Sequence, residues 1–512
     1  MIRWLYSWFM WLAQPLLRRK LRRRSVQEPG YGQFIGERFG RYGQPVPIHG
    51  GPTVWIHAVS LGETRAAAVL VAALRQQLPQ LRLLLTHGTA TGRAEGLKLL
   101  EDGDLQAWQP WDTPTAVTRF LSHFKPDLGI LMETEVWPNL VAACDYLGVP
   151  LVLVNARLSD KSLRKTQRLA WLARPAYAAL TGVWAQTAQD AQRLRSLGAK
   201  VEGVLGNLKF DATPDAAQVA QGKAWRSQLD RPVVMFASSR EGEELALLEI
   251  LKRYGEPAET GAIGQTDPAP VIASHPYLAR YRTRTLNKEV VTASVARQSM
   301  QSGVMDCVTA LAMTRSPRKE HVWCRAGHGG LATAQPQQNV QWLIVPRHPQ
   351  RFDAVAALIE SHGFAVQRRS RWGQGGPVTP DTAMPTIWLG DSLGEMALYY
   401  GLADVALLGG SFEPLGGQNL IEAAACGCPV VMGPHTFNFS EVAEQALVAG
   451  AAQRVQELAQ GVVAACDVAL NQALHQTMGQ ASADFSGQNR GAVERTTQAL
   501  LKLLGQQGVD GV

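Results

Sequence analysis

Val405-Ala406-Leu407-Leu408-Gly409-Gly410-Ser411-Phe412-Glu413-Pro414-Leu415-Gly416-Gly417-Gln418-Asn419-Leu420-Ile421-Glu422-Ala423-Ala424-Ala425 passes from an apolar run, through two glycine pairs, into a helical pattern. Read as strand, turn and helix, it is one β–α step of a parallel sheet. Glycines at the mouth of a helix let backbone N–H groups approach an anion, and the helix dipole favours negative charge there. A carboxylate inside the helix, Glu422, is placed to accept hydrogen bonds from ribose hydroxyls. The combination suggests a site for an activated sugar nucleotide. A glycine-rich β–α turn of any doubly wound domain is the plainer reading.

Outward from this stretch the same rhythm recurs. Residues 54–59 read as a strand followed by a helix over 63–77, and 81–86 as a strand followed by a helix over 91–100. Strands at 128–132, 151–155 and 183–186 continue the series. A second series starts at 232–237 and resumes at 341–345, 386–389, 405–408 and 429–432. Short apolar runs alternating with helical segments predict parallel sheets with crossover helices. The chain has 512 residues, too many for one core, and a 46% hydrophobic fraction supplies two. Two doubly wound halves therefore meet near 211–231, with ligands at the carboxyl ends of the strands in the cleft between them. Residues 255–339 break the rhythm. Rich in Gly, Pro, Gln, Ser and Thr, they read as a surface insertion in which 304–313 is the best candidate for order.

The formal net charge of +7 is unevenly spread. Arg3, Arg18, Arg19, Lys20, Arg22, Arg23 and Arg24 lie in the first 24 residues, which contain no acidic side chain. The mostly apolar stretch 4–17 carries Trp4, Tyr6, Trp8, Phe9 and Trp11. It is shorter than the roughly 20 residues a spanning helix needs, and no small-residue cleavage site comes after it. Aromatics and arginines flanking a short apolar run predict a helix lodged at one membrane face, its basic cluster on anionic headgroups. If the segment spans, the cluster keeps the rest of the chain cytoplasmic. A solvated basic tail is the alternative. Six cysteines are scattered, and Cys426-Gly427-Cys428 lacks the paired spacing of a zinc site. Reduced, structural thiols in a cytoplasmic protein are expected.

In the N-terminal half, Ser60-Leu61-Gly62-Glu63-Thr64 and Glu133-Thr134-Glu135-Val136-Trp137-Pro138-Asn139 follow predicted strands. A carboxylate at a helix N-terminus is ordinarily ionised, and facing a cleft it can act as general base on a sugar hydroxyl. Capping and an ion pair to a nearby cation are the structural alternatives. Arg157 and Lys209 also fall at strand ends, where they can hold a carboxylate or phosphate or stabilise charge on a departing phosphate. Lys161, Arg164, Lys165, Arg168 and Arg174, interleaved with Leu, Trp and Ala, form a basic amphipathic face suited to an anionic membrane. Nucleic acid is the weaker partner, since no nucleic-acid-binding motif accompanies the charge. In the C-terminal half the turns are Ser238-Ser239-Arg240-Glu241-Gly242-Glu243-Glu244, Pro346-Arg347-His348-Pro349 and Gly390-Asp391-Ser392-Leu393-Gly394-Glu395. Together with the opening stretch they can enclose one nucleotide.

Taken in order, Gly36-Glu37-Arg38-Phe39-Gly40, Ser60–Thr64, Glu133–Asn139, Asn155-Ala156-Arg157-Leu158-Ser159, Leu208-Lys209-Phe210-Asp211, Glu241–Glu244, Pro346–Pro349, Gly390–Glu395 and Gly433-Pro434-His435-Thr436-Phe437-Asn438-Phe439 closely resemble the lipid A Kdo transferases. The resemblance runs from the N-terminal segment to about residue 444. It implies a GT-B fold: α/β, with two doubly wound Rossmann-like domains facing a central cleft and an N-terminal membrane-associated helix. The implied division is 1–24 for the anchor, 25–215 for the acceptor-binding domain and 216–512 for the donor domain, with 255–339 inserted. The implied reaction is inverting transfer of 3-deoxy-D-manno-octulosonic acid (Kdo) from the donor CMP-Kdo to a lipid A precursor, lipid IVA, at the cytoplasmic face of the inner membrane. No cofactor or metal is implied, and no acidic metal-binding motif argues otherwise. By position, Glu63 matches the general base, and Glu133 and Lys209 match groups that stabilise the transition state. Pro346, Arg347, Leu393, Gly394, Glu395, Asn419, Leu420, Ile421 and Glu422 match CMP contacts. Arg240 stands where the resembled family has histidine. A GT-B enzyme using a UDP-sugar and a non-catalytic lipid A-binding protein are the alternatives.

Overall fold

The computed structural model describes residues 2–46, 49–255, 339–378 and 384–507. The expected insertion, including 304–313, lies outside these except at its two edges. Strands β1 Thr53–His57, β2 Arg82–His87, β3 Leu105–Trp108, β4 Leu128–Met132, β5 Leu151–Ala156, β6 Gly182–Ala185 and β7 Val201–Val204 form one sheet, ordered β3-β2-β1-β4-β5-β6-β7. Strands β8 Val233–Ser239, β9 Gln341–Pro346, β10 Ala365–Arg368, β11 Thr386–Leu389, β12 Val405–Leu408, β13 Val430–Met432 and β14 Ala452–Arg454 form the other, ordered β10-β11-β9-β8-β12-β13-β14. All the ladders are parallel, and both sheets belong to one compact unit.

Parallel sheets are covered by helices on both faces, so their central strands are apolar at successive positions rather than at alternate ones. β1 shows this: Val54 and Ile56 join one core layer with Leu83, Leu85 and Ile130, while Trp55 joins the opposite layer with Leu84 and Leu131. The second sheet repeats the arrangement, with Val234 and Phe236 in one layer and Val233, Met235 and Ala237 in the other. Each buried side chain of this size contributes about 1.5–3 kcal/mol. In the first sheet the chain winds outward through β2 and β3 before crossing to β4; in the second, β10 takes the edge and β11 fills the place between it and β9 before the chain crosses to β12. The strand order therefore reverses at β1/β4 and at β8/β12. A crevice opens at the carboxyl ends of such a pair, and that is where ligands bind.

Two segments depart from a simple two-half layout. The helix Ala492–Gln507 comes after the whole second sheet yet packs on the helix Leu61–Gln77 of the first, with Ala492, Val493 and Leu500 inside the first half's core. Asp211 holds its start by accepting from the N–H groups of Gly491 and Val493, the latter at 2.7 Å. At the other terminus, the helices Ile2–Leu12 and Gln14–Gln27 divide the labour of the first residues. Ser7 Oγ donates to Asn139 Oδ1 at 3.0 Å, and Tyr6 bonds Asp112. Trp4, Trp8, Phe9 and Trp11 are left more than half exposed. No described helix is long and apolar enough to cross a membrane.

Candidate active site at the carboxyl ends of the two sheets

Glu63 is the third residue of the helix Leu61–Gln77, which Ser60 caps. The Ser60 hydroxyl accepts from Glu63 N and donates to Glu63 Oε1 at 2.9 Å, while Val59 N donates to Oε2 at 2.9 Å. This reciprocal cap fixes the carboxylate at the end of β1. Burial, followed by the nearby charge of Glu133, pushes its pKa up to about 7, against the pull of the Val59 and Ser60 donors. The expectation of an ordinary ionised N-terminal carboxylate is corrected here: desolvation and a second carboxylate outweigh the helix dipole.

That second carboxylate is at the end of β4, across the switch point. Glu133 is buried and has a left-handed backbone, with φ of 59°. Lys209 Nζ lies 2.7 Å from Oε1 and Arg157 Nη1 lies 3.7 Å from Oε2. Asn155, at the end of β5, is also left-handed, with φ of 52°, and its Oδ1 accepts from Leu208 N at 3.1 Å. Non-glycine residues in this conformation are strained and persist where the surroundings impose them. Lys209 also lies 5.9 Å from the centroid of the Phe439 ring, which belongs to the second half. The structure thus unites Glu63, Glu133, Arg157 and Lys209. Arg157 was expected to hold a carboxylate or phosphate, and the group it faces is Glu133.

In the second half, Arg347 comes directly after β9. Desolvation, then the guanidinium charges of Arg65 and Arg240, hold its pKa below the usual value. Glu422 has its carboxyl raised by burial and pulled back by Arg65 and Arg347. Arg65 sits two residues after Glu63, so the two sheet ends are within electrostatic reach of each other. Asn419 Oδ1 accepts from Ile421 N at 3.1 Å and starts the short helix Ile421–Ala425. Pro346 is buried, while Leu393 is exposed. Leu420 and Ile421 are 1% exposed and sit in the core, which leaves them only backbone for a ligand. Gly394 has φ of 81° and its carbonyl accepts from Gln218 Nε2. Glu395 Oε1 is taken by Arg369 Nη2 at 2.8 Å. The helix after it, Met396–Leu402, has no side-chain cap, and Asp391 accepts from Ser370 N and Oγ instead.

Three of the four glycine N–H groups of the opening turn are spent inside the protein. Gly409 N donates to Ala237 O, Gly417 N to Gly410 O, and Gly410 N to both oxygens of Glu243 at 2.8 Å. The glycines serve close packing: a Cβ on Gly409 would sit 2.4 Å from Ser238 O, and one on Gly433 2.4 Å from Ser411 O. Glu243 and Glu244 are the positioning groups that the sequence reading leaves without a role. Glu243, its carboxyl raised to about 7 mainly by burial, latches the turn after β12 to the turn after β8. Glu244 is fully buried and takes Arg351 in a two-point pair at 2.7 and 2.9 Å, with Ser239 Oγ at 2.8 Å. A glutamate pair opening a helix was visible in the sequence, but which turn each glutamate would clamp depends on tertiary contacts. The Gly36–Gly40 motif is likewise structural. Arg38 is buried, bonds the carbonyls of Gly88 and Gln109 and stacks 4.2 Å from the Trp108 ring.

Two parallel α/β sheets thus carry, at their carboxyl ends, a carboxylate with its pKa raised to about 7 on the first and the guanidinium of Arg347 beside the switch point of the second. The family described as 3-deoxy-D-manno-octulosonic-acid transferase matches residues 33–212. A 3-deoxy-D-manno-octulosonic acid transferase of Bordetella pertussis is 40% identical over 98% of this chain and 96% of its own length. That of Haemophilus influenzae is 28% identical over 98% of each. A solved C-terminal CMP-Kdo binding domain from Acinetobacter baumannii is 23% identical over 53% of this chain and 98% of that domain, with a TM-score of 0.32. The chain belongs to the 3-deoxy-D-manno-octulosonic acid transferase family, and its reaction is transfer of that sugar.

Proposed function

We propose that this chain is an inverting glycosyltransferase of the GT-B type that moves Kdo from CMP-Kdo to a hydroxyl of a lipid A precursor. The observation that carries the reading is Glu63, a carboxylate with a pKa near 7, beside Glu133 clamped by Lys209 and Arg157. A general base works best with a pKa near the operating pH. Glu63 takes the proton from the acceptor hydroxyl as that oxygen bonds to the anomeric carbon of Kdo. The bond from that carbon to the phosphate oxygen breaks on the opposite face, and CMP leaves with the electron pair. Arg347 faces the phosphate, Asn419 and Glu422 the ribose, and the backbone around Leu393–Glu395 the base. Glu133 and Lys209 steady the charge that shifts between sugar and phosphate. Incubation with CMP-Kdo and a tetraacylated lipid A precursor should give products heavier by whole Kdo residues. CMP should raise the melting temperature and UDP should leave it unchanged. Protection by UDP alone would instead support a UDP-sugar enzyme.

The same reading places the protein on the cytoplasmic face of the inner membrane. Trp4, Trp8, Phe9 and Trp11 present an apolar face, Leu169 and Trp171 are half exposed beside it, and the basic residues of Gln14–Gln27 come next. Such a helix lies in the interface rather than through it. Replacing Trp4, Trp8 and Phe9 together by serine should cut co-flotation with phosphatidylethanolamine–phosphatidylglycerol vesicles at least tenfold, because each exposed aromatic contributes on the order of 1 kcal/mol or more on burial. Unchanged flotation would rule out this face.

A further inference from the structure

At the carboxyl end of the second sheet, arginines are paired almost everywhere. Arg351 is locked onto Glu244, Arg368 onto Asp353, and Arg369 onto Glu395. Arg240 and Arg347 are not: among the described residues neither guanidinium has a hydrogen bond or ion pair, and the other such arginine, Arg371, is exposed at the far edge of the sheet after β10. Arg240 and Arg347 are also neighbours. Ser239 and Pro346 are register partners in β8 and β9, and Arg347 N donates to Ser239 O at 3.0 Å, so the next residue on each strand leaves the sheet side by side. The Arg240 stem lies over the glycine turn, its Cγ 3.6 Å from where a Cβ of Gly410 would stand.

The nearest buried carboxylate in the sequence does not neutralise this pair. Glu243 spends its oxygens on the N–H groups of Gly410 and of Arg240 itself. Two adjacent unpaired cations repel each other: after desolvation, Arg240 is among the charges that depress both Arg347, where Arg65 precedes it, and His348. A tertiary structure that pairs three neighbouring arginines and leaves these two without a hydrogen-bonded or ion-paired carboxylate, beside the switch point of the sheet, has left a place for an anion with several oxygens. Guanidinium forks match phosphate oxygens in geometry as well as charge.

We propose that Arg240 grips the phosphate of the cytidine nucleotide jointly with Arg347, as a second guanidinium in the donor site. The proposal rests on the reading of the donor given above. Because the phosphate leaves with the nucleotide, a second cation there both holds the donor and stabilises the departing charge.

The test is calorimetric titration of the full-length enzyme with CMP and with cytidine. Arg240→Ala should weaken CMP by about 10–100-fold, the loss expected for a hydrogen bond between charged groups, and leave cytidine unchanged. Arg240→His should bind CMP well at pH 6 and poorly at pH 8, since an imidazole keeps its charge only on the acid side. An Arg240→Ala enzyme with an unchanged ratio of CMP to cytidine affinity overturns the proposal. So does equal weakening of both, which marks a structural role, or weakening of CMP-Kdo with CMP unaffected, which puts Arg240 on the sugar carboxylate. Wild-type enzyme that prefers UMP to CMP overturns the donor reading instead, and the same comparison with UMP and uridine then decides the role of Arg240.

Discussion

Glu63→Gln is expected to lower kcat for Kdo transfer by about 10³-fold, within the range for loss of a general base, while leaving the donor KM nearly unchanged. The amide keeps the size of the carboxylate and can still accept from Val59 N, so the cap and the fold should survive. The pH profile gives a second measure. Burial raises the Glu63 carboxyl to about 7, so its basic form is lost as pH falls through that value. In the wild type, kcat/KM should therefore decline tenfold per unit on the acid side of about pH 7, and this limb should vanish from the residual activity of Glu63→Gln. Undiminished transfer by the variant, or an acid limb that persists in it, would rule out Glu63 as the base.

Lys209→Met is expected to damage stability and catalysis together. It removes the 2.7 Å partner of a carboxylate that is 8% exposed and leaves Arg157 at 3.7 Å as its remaining cation. Breaking a buried pair from one side costs about 3–5 kcal/mol, and the surviving Arg157 places this case near the low end, at about 3 kcal/mol in denaturant unfolding. Loss of a charge that steadies the transition state should cost about 10²-fold in kcat. Less neutralised, Glu133 should raise the Glu63 carboxyl further, moving the acid limb to higher pH. Adding Glu133→Gln should restore much of the stability without restoring transfer. Recovery of both would make the pair purely structural.

The strands read from the sequence are the inner ones. Leu128–Met132, Thr386–Leu389 and Val405–Leu408 coincide with β4, β11 and β12, and the other inner strands agree to within one or two residues. The four strands that went unread, β3, β7, β10 and β14, are the edges of the two sheets. An edge strand meets a partner on one side only, so its residues need not be apolar in succession. Val201–Val204 alternates half-buried with exposed positions, and Ala365–Arg368 is half-buried throughout. β3 is buried, yet its cover comes from a distant segment: Trp108 N donates to Glu37 and Gln44 donates to Gln106 O. The site divides along the same line. Glu63 and Glu133 were legible because their neighbours in sequence place them at strand ends. The internal satisfaction of the glycine turn was not, because its partner Glu243 lies 167 residues away.

The returning helix Ala492–Gln507 sets an order of events in synthesis. It supplies core residues against the helix that carries Glu63, and Asp211, two residues from Lys209, holds its start. Both belong to a half whose other elements leave the ribosome some 280 residues earlier, as the separation of Asp211 from its partner Gly491 shows. A chain halted anywhere in the second half would carry every acid and base of the first, but not the buttress that fixes them. Truncated products that lack this helix should therefore be inactive in Kdo transfer from the outset.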